Sequence, residues 1–452
     1  MPNETLPASA AKTDAQLVRG IGLTALTANI VNTTIGASIF VLPGTMAKML
    51  GGAAPIAFVV CAIAQTIFVT CFAIAGSRVS LTGGLYAYVE VGFGRYVGFL
   101  AGLMNFTTNI LGVAAVANVL VDAVSAMSPL LATSFARVVM LLLIFFVLVA
   151  LNIRSVKAGA SAVTVVTLVK LIPLLIFIAV GIFFIKPAAV VPSLPGANQS
   201  LGDAVLLLMF AFFGIEGALT PSGEVQNPAR TVPRAIFIAI GLTTVVYLLI
   251  QFVAAGTLGS RLGDNTVAPL AEAAGIFLGR YGRMLLLVGA TISSFGYVTS
   301  DILSSPRTLF AFGRDGILPK IFTHVHPRFR SPDVAIIVYT AVAFALAVSS
   351  SFEGLAVMAN VAAFLLYVLC CAAAWELVRR NVRSDEEPFT FWGAKIFPFV
   401  GVALIIALLV KAAFSDSQVG LDTRAGLRVS GYLAVAGSLF YLARPLWTRR
   451  ST

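Results

Sequence analysis

Charge is what this chain has least of. Only 11% of its 452 residues are Asp, Glu, Lys or Arg, while 59% are hydrophobic. That balance excludes a soluble domain with an ordinary charged surface and makes the bilayer the expected solvent. Histidine is almost missing: His324 and His326 share one loop, with no metal or nucleophile constellation around them. An enzyme reading therefore has no catalytic group to stand on, and no metal site or cofactor is expected. The four cysteines, Cys61, Cys71, Cys370 and Cys371, all fall inside apolar runs without the spacing of a zinc site, and read as small packing residues. No low-complexity tract or Pro/Gly/Ser linker divides the chain. The polar stretch before Ile21 lacks the basic start, apolar core and small-residue cleavage site of a signal peptide, so the first apolar run is expected to remain in the mature protein.

Apolar runs are what the chain has instead. A spanning helix needs roughly 20 mostly apolar residues, and the sequence divides into about twelve such runs. They are placed at 21 to 47, 53 to 76, 97 to 124, 134 to 152, 159 to 185, 201 to 223, 234 to 257, 281 to 311, 333 to 350, 355 to 377, 397 to 414 and 429 to 446. Gly84 to Phe93 has tyrosines, an acid and small residues, and reads as a short interfacial or re-entrant helix. An even number of spans puts both termini on one side. That side would hold 20 of the 30 basic residues and the other side 9, with Lys170 inside the membrane. The excess predicts cytoplasmic termini. The net charge of +11 then reflects topology and attraction to anionic lipid, not nucleic acid.

Two runs are interrupted. Span one contains "NTTIGASIFVLPG" from Asn32, and span six contains "FFGIEGALTPSGEV", with Gly214, Glu216, Gly217 and Pro221 inside an apolar stretch. Irregular backbone at membrane depth survives only where protein or a water-filled cavity satisfies its free N–H and C=O groups. Interruptions five spans apart point to an inverted-repeat transporter with its site at the midplane. The outer half of span one begins near Ser38, so its free N–H groups face the midplane, ready for a carboxylate.

Few ionisable residues lie inside the spans. Lys170 is the only deep basic one, and a charged lysine there costs roughly 2.5 to 3.5 kcal/mol, which asks for a partner or a function such as loading and releasing a proton. A permanently charged strut between helices is the alternative. Glu216 sits in the span-six break, to meet an ammonium group, gate the pocket or satisfy the broken helix's own N–H groups. Asp301 in span eight either faces the pocket and favours a cationic side chain, serves as a gate partner, or packs. Asn105 and Asn109, four apart on one face of span three, line a pocket or glue helices together. Glu224, Arg230, Arg234 and Arg314 fall at cytoplasmic ends, where an inner gate would form.

The strings "GASIFVLPG", "TGGLYAYVEVGFG", "FFGIEGALTPSGEVQNPARTVPRAI", "APLAEAAGIFLGRYG" and "PRTLFAFGRDGILPKIFTHVHPRFRSPDVAI" occur in the order and spacing of the amino acid permeases of the amino acid, polyamine and organocation superfamily. The chain resembles them over roughly residues 20 to 400. It departs from the family's usual Gly-x-Gly-Ile-Phe by carrying Ser38 in place of the second glycine, and it lacks a proline before Gly83.

The resemblance implies an all-α polytopic membrane protein with the leucine-transporter-type fold, a five-plus-five inverted repeat with helices 1 and 6 broken. A cytoplasmic segment 1–20 precedes a transport core at 21–377, a cytoplasmic loop at 378–396, and two extra helices with a short tail at 397–452. It implies an amino acid or related amine as substrate. Its carboxylate would rest on the N–H groups of Gly36, Ala37 and Ser38, and its amino group on carbonyls near Thr34 and at Phe210 and Phe213. In proton-coupled members a lysine at the place of Lys170 stands where sodium-coupled relatives hold the ion, so the proton is the expected coupling ion. The expected function is secondary active transport of amino acids by alternating access in the plasma (inner) membrane, as proton-coupled uptake, with exchange and a transporter-like amino acid sensor as alternatives. Paired broken helices suit this better than a channel.

Overall fold

The computed structural model describes residues 20–448, apart from 80, 82, 132, 155–169, 187–199, 221, 315, 330, 384–386 and 415–422. The segment before Gly20, the first part of span five, Pro221 and the tail beyond 448 lie outside the described residues.

Among those residues the chain is all helical, with one isolated parallel bridge between Ile21 and Val225. In chain order the helices are α1 Leu23–Thr34, α2 Leu42–Leu50, α3 Ala54–Gly76, α4 Leu85–Phe93, α5 Arg95–Ser125, α6 Ser134–Arg154, α7 Leu171–Gly181 and α8 Leu201–Leu208. They continue with α9 Ile215–Ala218, α10 Pro228–Leu258, α11 Pro269–Ser304, α12 Pro306–Arg314, α13 Asp333–Ser349, α14 Phe352–Arg379, α15 Phe397–Phe414 and α16 Thr423–Thr448. Nine stretches of the described chain are helical, long and apolar enough to cross a membrane; Leu171–Phe184 and Asp333–Ser349 are shorter apolar helices. The surface fits that solvent: Phe146, Phe183, Phe414 and Leu442 are between 69% and 84% exposed, an apolar belt that lipid tolerates and water does not.

Several boundaries differ from the sequence reading. Span seven begins at Pro228, not 234. Asn227 adopts φ 46 and Pro228 opens the helix, where its missing N–H is not needed; the charged Arg230 and Arg234 in the first turns made the segment resemble a loop. Before span eight, Pro269–Leu278 forms a separate helical stretch, ended by Gly279 at φ 57 and ψ −148, and the span itself then begins close to the expected 281. Asn265 starts that stretch, its side-chain oxygen accepting from Val267 and Ala268 N–H at 3.1 and 2.9 Å. At the other end Pro306 starts α12, so span eight stops at Ser304 rather than 311.

The core sets α5 against α14 and α11, and α10 against α3 and α1. Helix α4, too short to cross a membrane, packs on α5 and α14 with Leu85, Tyr88 and Val89 buried. All four cysteines are free and buried. The far end of α5 is tied by charge: Arg137 on α6 pairs with Asp122 and donates to Asn118 Oδ1 at 2.7 Å, and Asn118 donates to Ser350 O at 2.9 Å.

Candidate functional site

The two interruptions are real breaks, and each has a local cause. Helix α1 stops at Thr34, where Gly36 N–H turns back to Thr34 O at 2.8 Å and leaves the helical ladder. A 3-10 turn over Ser38–Phe40 then leads into α2, whose second residue is Pro43, where a missing N–H goes unused. Residues 36 to 38 keep negative φ, so Ser38 fits the turn without strain in place of the family's glycine. The second break follows a 3-10 turn at Met209–Phe212: Phe213 is extended, and Gly214 takes φ 114 before α9 begins. A Cβ on Gly214 would sit 2.5 Å from Thr33 O, so glycine is what lets the second break lie directly on the first.

The freed carbonyls are held from neighbouring helices. Tyr247 of α10 is fully buried, and its hydroxyl lies 2.9 Å from Thr34 O and 2.7 Å from Ala211 O. With one proton to donate, it bridges the C-terminal ends of both interrupted segments. Gln65 of α3 donates to Phe212 O at 3.2 Å, and Asn360 of α14 to Leu206 O. Buried polar groups of this kind need partners, and here they serve each other. Thr34 O is therefore doubly occupied, by Gly36 N–H and Tyr247. No side chain among the described residues donates to the carbonyls of Phe210 or Phe213. On the donor side, Gly36 N–H is taken, whereas the N–H groups of Ala37, Ser38 and Ile39 have no acceptor among the described residues. The groups left open at the breaks are thus donors at 37 to 39 and acceptors at 210 and 213.

Lys170, at the start of α7, donates from Nζ to Asn32 O at 2.5 Å, inside the last turn of α1, where carbonyls carry partial negative charge. Glu216 is buried. It accepts from Tyr367 OH of α14 at 3.1 Å and lies against the backbone N–H groups of Gly214 and Glu216 itself, so one carboxylate satisfies the broken helix and links it to α14. Phe213 stacks edge-on with Tyr367 and Phe364, at 5.4 and 6.2 Å. Asp301 has both oxygens engaged, one by Ser305 Oγ at 2.7 Å and one by Tyr339 OH of α13. These bonds join it to α13, and among the described residues it makes no hydrogen bond to either break. Asn105 and Asn109 are part-exposed and share a face of α5 with Gly112. A Cβ on Gly112 would meet Tyr297 OH at 3.0 Å and the Phe210 ring at 4.0 Å, and Phe210 meets Phe352 at 5.8 Å. Glu224 contributes its backbone carbonyl to Ile21 N–H at 3.0 Å. Arg230 is exposed, and neither residue enters an ion pair among the described residues.

Sequence reasoning singled out neither Tyr247, Gln65, Tyr297, Asn360 nor Tyr367. A signal existed for the first: Thr243, Tyr247 and Gln251 recur every four residues in span seven and make a buried polar stripe on one face. A tyrosine hydroxyl in an apolar run must find a partner, and an interrupted helix supplies one.

Beyond the first break, Phe40 and Val41 line a small apolar recess with Val119, Ala123 and Leu286, beneath Ala268. Helix α2 packs under the same cover, since a Cβ on Gly44 would touch Asn265 O at 2.6 Å.

Residues 21–435 match the family described as amino acid permease. The chain is 28% identical to the serine/threonine exchanger SteT of Bacillus subtilis (strain 168), over 92% of this chain and 96% of that protein. It is 27% identical to the methylthioribose transporter of the same organism, over 73% of this chain and 74% of the other. It is 24% identical to the branched-chain amino acid permease BcaP, also of that organism, over 88% of each.

Proposed function

Because the chain belongs to the amino acid permease family, whose members here are carriers and not enzymes, we propose that it is a secondary active transporter that moves amino acids by alternating access. It is an integral membrane protein of twelve spans, ten of them in a five-plus-five inverted repeat, with both termini cytoplasmic and α15 and α16 as the extra pair.

The observation that carries this reading is the meeting of the two breaks under Tyr247, with donors open on one side and acceptors on the other. An amino acid's α-carboxylate fits the N–H groups of Ala37 and Ser38, at the start of the outer half-helix where the dipole is positive. Gly36 lets it approach: a Cβ there would meet nothing nearer than Thr34 O at 3.9 Å, so nothing within the chain demands glycine. The α-ammonium fits the carbonyls of Phe210 and Phe213, with Glu216 supplying negative charge nearby. Tyr297, Phe210 and Asn109 border the side-chain space. Glu224 and Arg230 belong to the inner gate, and they pair in another state of the cycle. Lys170 carries the coupling proton. In its charged form the bond to Asn32 O is charge-assisted and holds α1 as seen here; deprotonation weakens that bond and frees the half-helix to move.

Exchange is the second reading, favoured by the exchanger among the relatives. Purified protein in liposomes separates the two. With a labelled amino acid outside and nothing inside, an inward proton gradient is expected to drive saturable accumulation that collapses when the gradient is dissipated. Flux that requires unlabelled amino acid inside and ignores the gradient selects exchange. Saturable binding without flux in either arm would overturn transport and leave a sensor.

A further inference from the structure

Arg78 follows the last turn of α3 and takes no part in either break. It is 4% exposed. Its Nη1 donates to Val382 O at 3.0 Å, and its Nε is buried without an acceptor among the described residues. No carboxylate pairs with Arg78 or with Arg383 among the described residues. Burial first, and the nearby Arg383 charge second, hold the Arg78 guanidinium below the ordinary arginine range. After α14 ends, Asn381 takes φ 53, Val382 O accepts from Arg78, and the next residue, Arg383, stays exposed with its Nε donating to Asn381 Oδ1 at 3.1 Å.

A buried guanidinium with one neutral acceptor and a second cation beside it is an unbalanced arrangement, because each charge taken from water needs a counter-charge. The position suggests the source. Arg78 lies two residues beyond Gly76, where α3 leaves its apolar stretch. The segment after Arg383 reaches the 94% exposed Trp392, a residue type that settles at the membrane–water boundary. Phosphate groups are dense at that boundary, and the planar donor fork of arginine suits their oxygens.

We propose that Arg78 and Arg383 form a binding site for one phosphate group, supplied by an anionic lipid headgroup or by free phosphate, that clamps the end of α3 to the end of α14. The site is independent of amino acid transport and stands or falls without it.

The test uses the full chain in detergent and reads the thermal midpoint as phosphatidylglycerol, phosphatidylcholine or inorganic phosphate is added. Phosphatidylglycerol is expected to raise the midpoint, and phosphatidylcholine not to. The rise should vanish in Arg78→Gln. In Arg383→Gln the concentration giving half of it should increase by about fivefold or more, as expected when a ligand that stabilises only the folded state binds less tightly. Lys320→Gln, which removes one exposed positive charge elsewhere, should keep the full rise. An equal rise with inorganic phosphate identifies the free anion as occupant; none identifies the headgroup. Should Arg78→Gln fail to fold, the Arg383→Gln titration decides alone. A rise unchanged in Arg383→Gln, or reduced as much in Lys320→Gln, overturns the site.

Discussion

Lys170→Ala is expected to abolish accumulation driven by a proton gradient, lowering the initial rate by about tenfold or more, and to leave the residual flux independent of pH. The argument starts from cost. A charged lysine among apolar residues is unfavourable by roughly 2.5 to 3.5 kcal/mol on insertion scales, and among the described residues this one spends its charge on one carbonyl, Asn32 O, in the last turn before the first break. If the side chain were only a strut, Lys170→Arg would preserve its work, since arginine keeps the charge and can reach a carbonyl. If the proton must leave, arginine fails, because it does not deprotonate in this range. The account predicts substrate binding in Lys170→Arg with turnover lost, and loss of pH dependence in both variants. Unchanged proton dependence in both would remove Lys170 from the coupling mechanism.

Two glycines, one in each break, should respond to alanine in opposite ways. Gly214 is at φ 114, with Thr33 O 2.5 Å from where a Cβ would stand. The left-handed conformation alone costs roughly 1 to 2 kcal/mol for a residue with a Cβ, and the clash is with backbone, which has nowhere to go. Gly214→Ala should separate the two breaks and lower both the thermal midpoint and the yield of folded protein. Gly36 has negative φ and 3.9 Å to its nearest neighbour. Gly36→Ala should fold with a midpoint close to that of the parent, yet lose affinity by about tenfold or more, equivalent to about 1.4 kcal/mol, because the added methyl occupies the approach to the N–H groups of Ala37 and Ser38. Thermal melts and labelled-ligand binding on the two variants check this. A Gly36→Ala protein with full affinity would remove that approach from the site.

Much of this arrangement was legible in the residues. Apolar runs located α3, α5, α6, α14 and α15 to within a few positions, because the hydrophobic signal for a membrane-length helix is strong. The breaks were legible for the opposite reason, since Gly36, Gly214 and Glu216 are poor residues for an uninterrupted span. Elements too short or too polar to be spans were harder. The stretch from Pro269 to Leu278 gave no membrane signal, and its start depends on how Asn265 folds back on the chain. Residues that hold the site from a distance in sequence were harder still. Tyr247 is 213 positions from Thr34, and no local pattern announces that its hydroxyl will reach both breaks. Asp301 illustrates the converse: an acid in an apolar run invites a ligand, but here its oxygens are filled by Ser305 and Tyr339.

The central claim is that backbone groups at the two breaks hold the α-carboxylate and α-ammonium of an amino acid, whatever its side chain. The direct measurement is competition. With the labelled amino acid that most raises the thermal midpoint, binding is displaced by the unlabelled amino acid, by its methyl ester and by the amine lacking the carboxylate. The account predicts that the ester and the amine compete at least about a hundredfold more weakly, some 2.7 kcal/mol, because each abandons the N–H groups beyond the first break. An amine that competes as well as the amino acid would contradict it, since the site would then be reading the side chain and not the groups that the breaks expose.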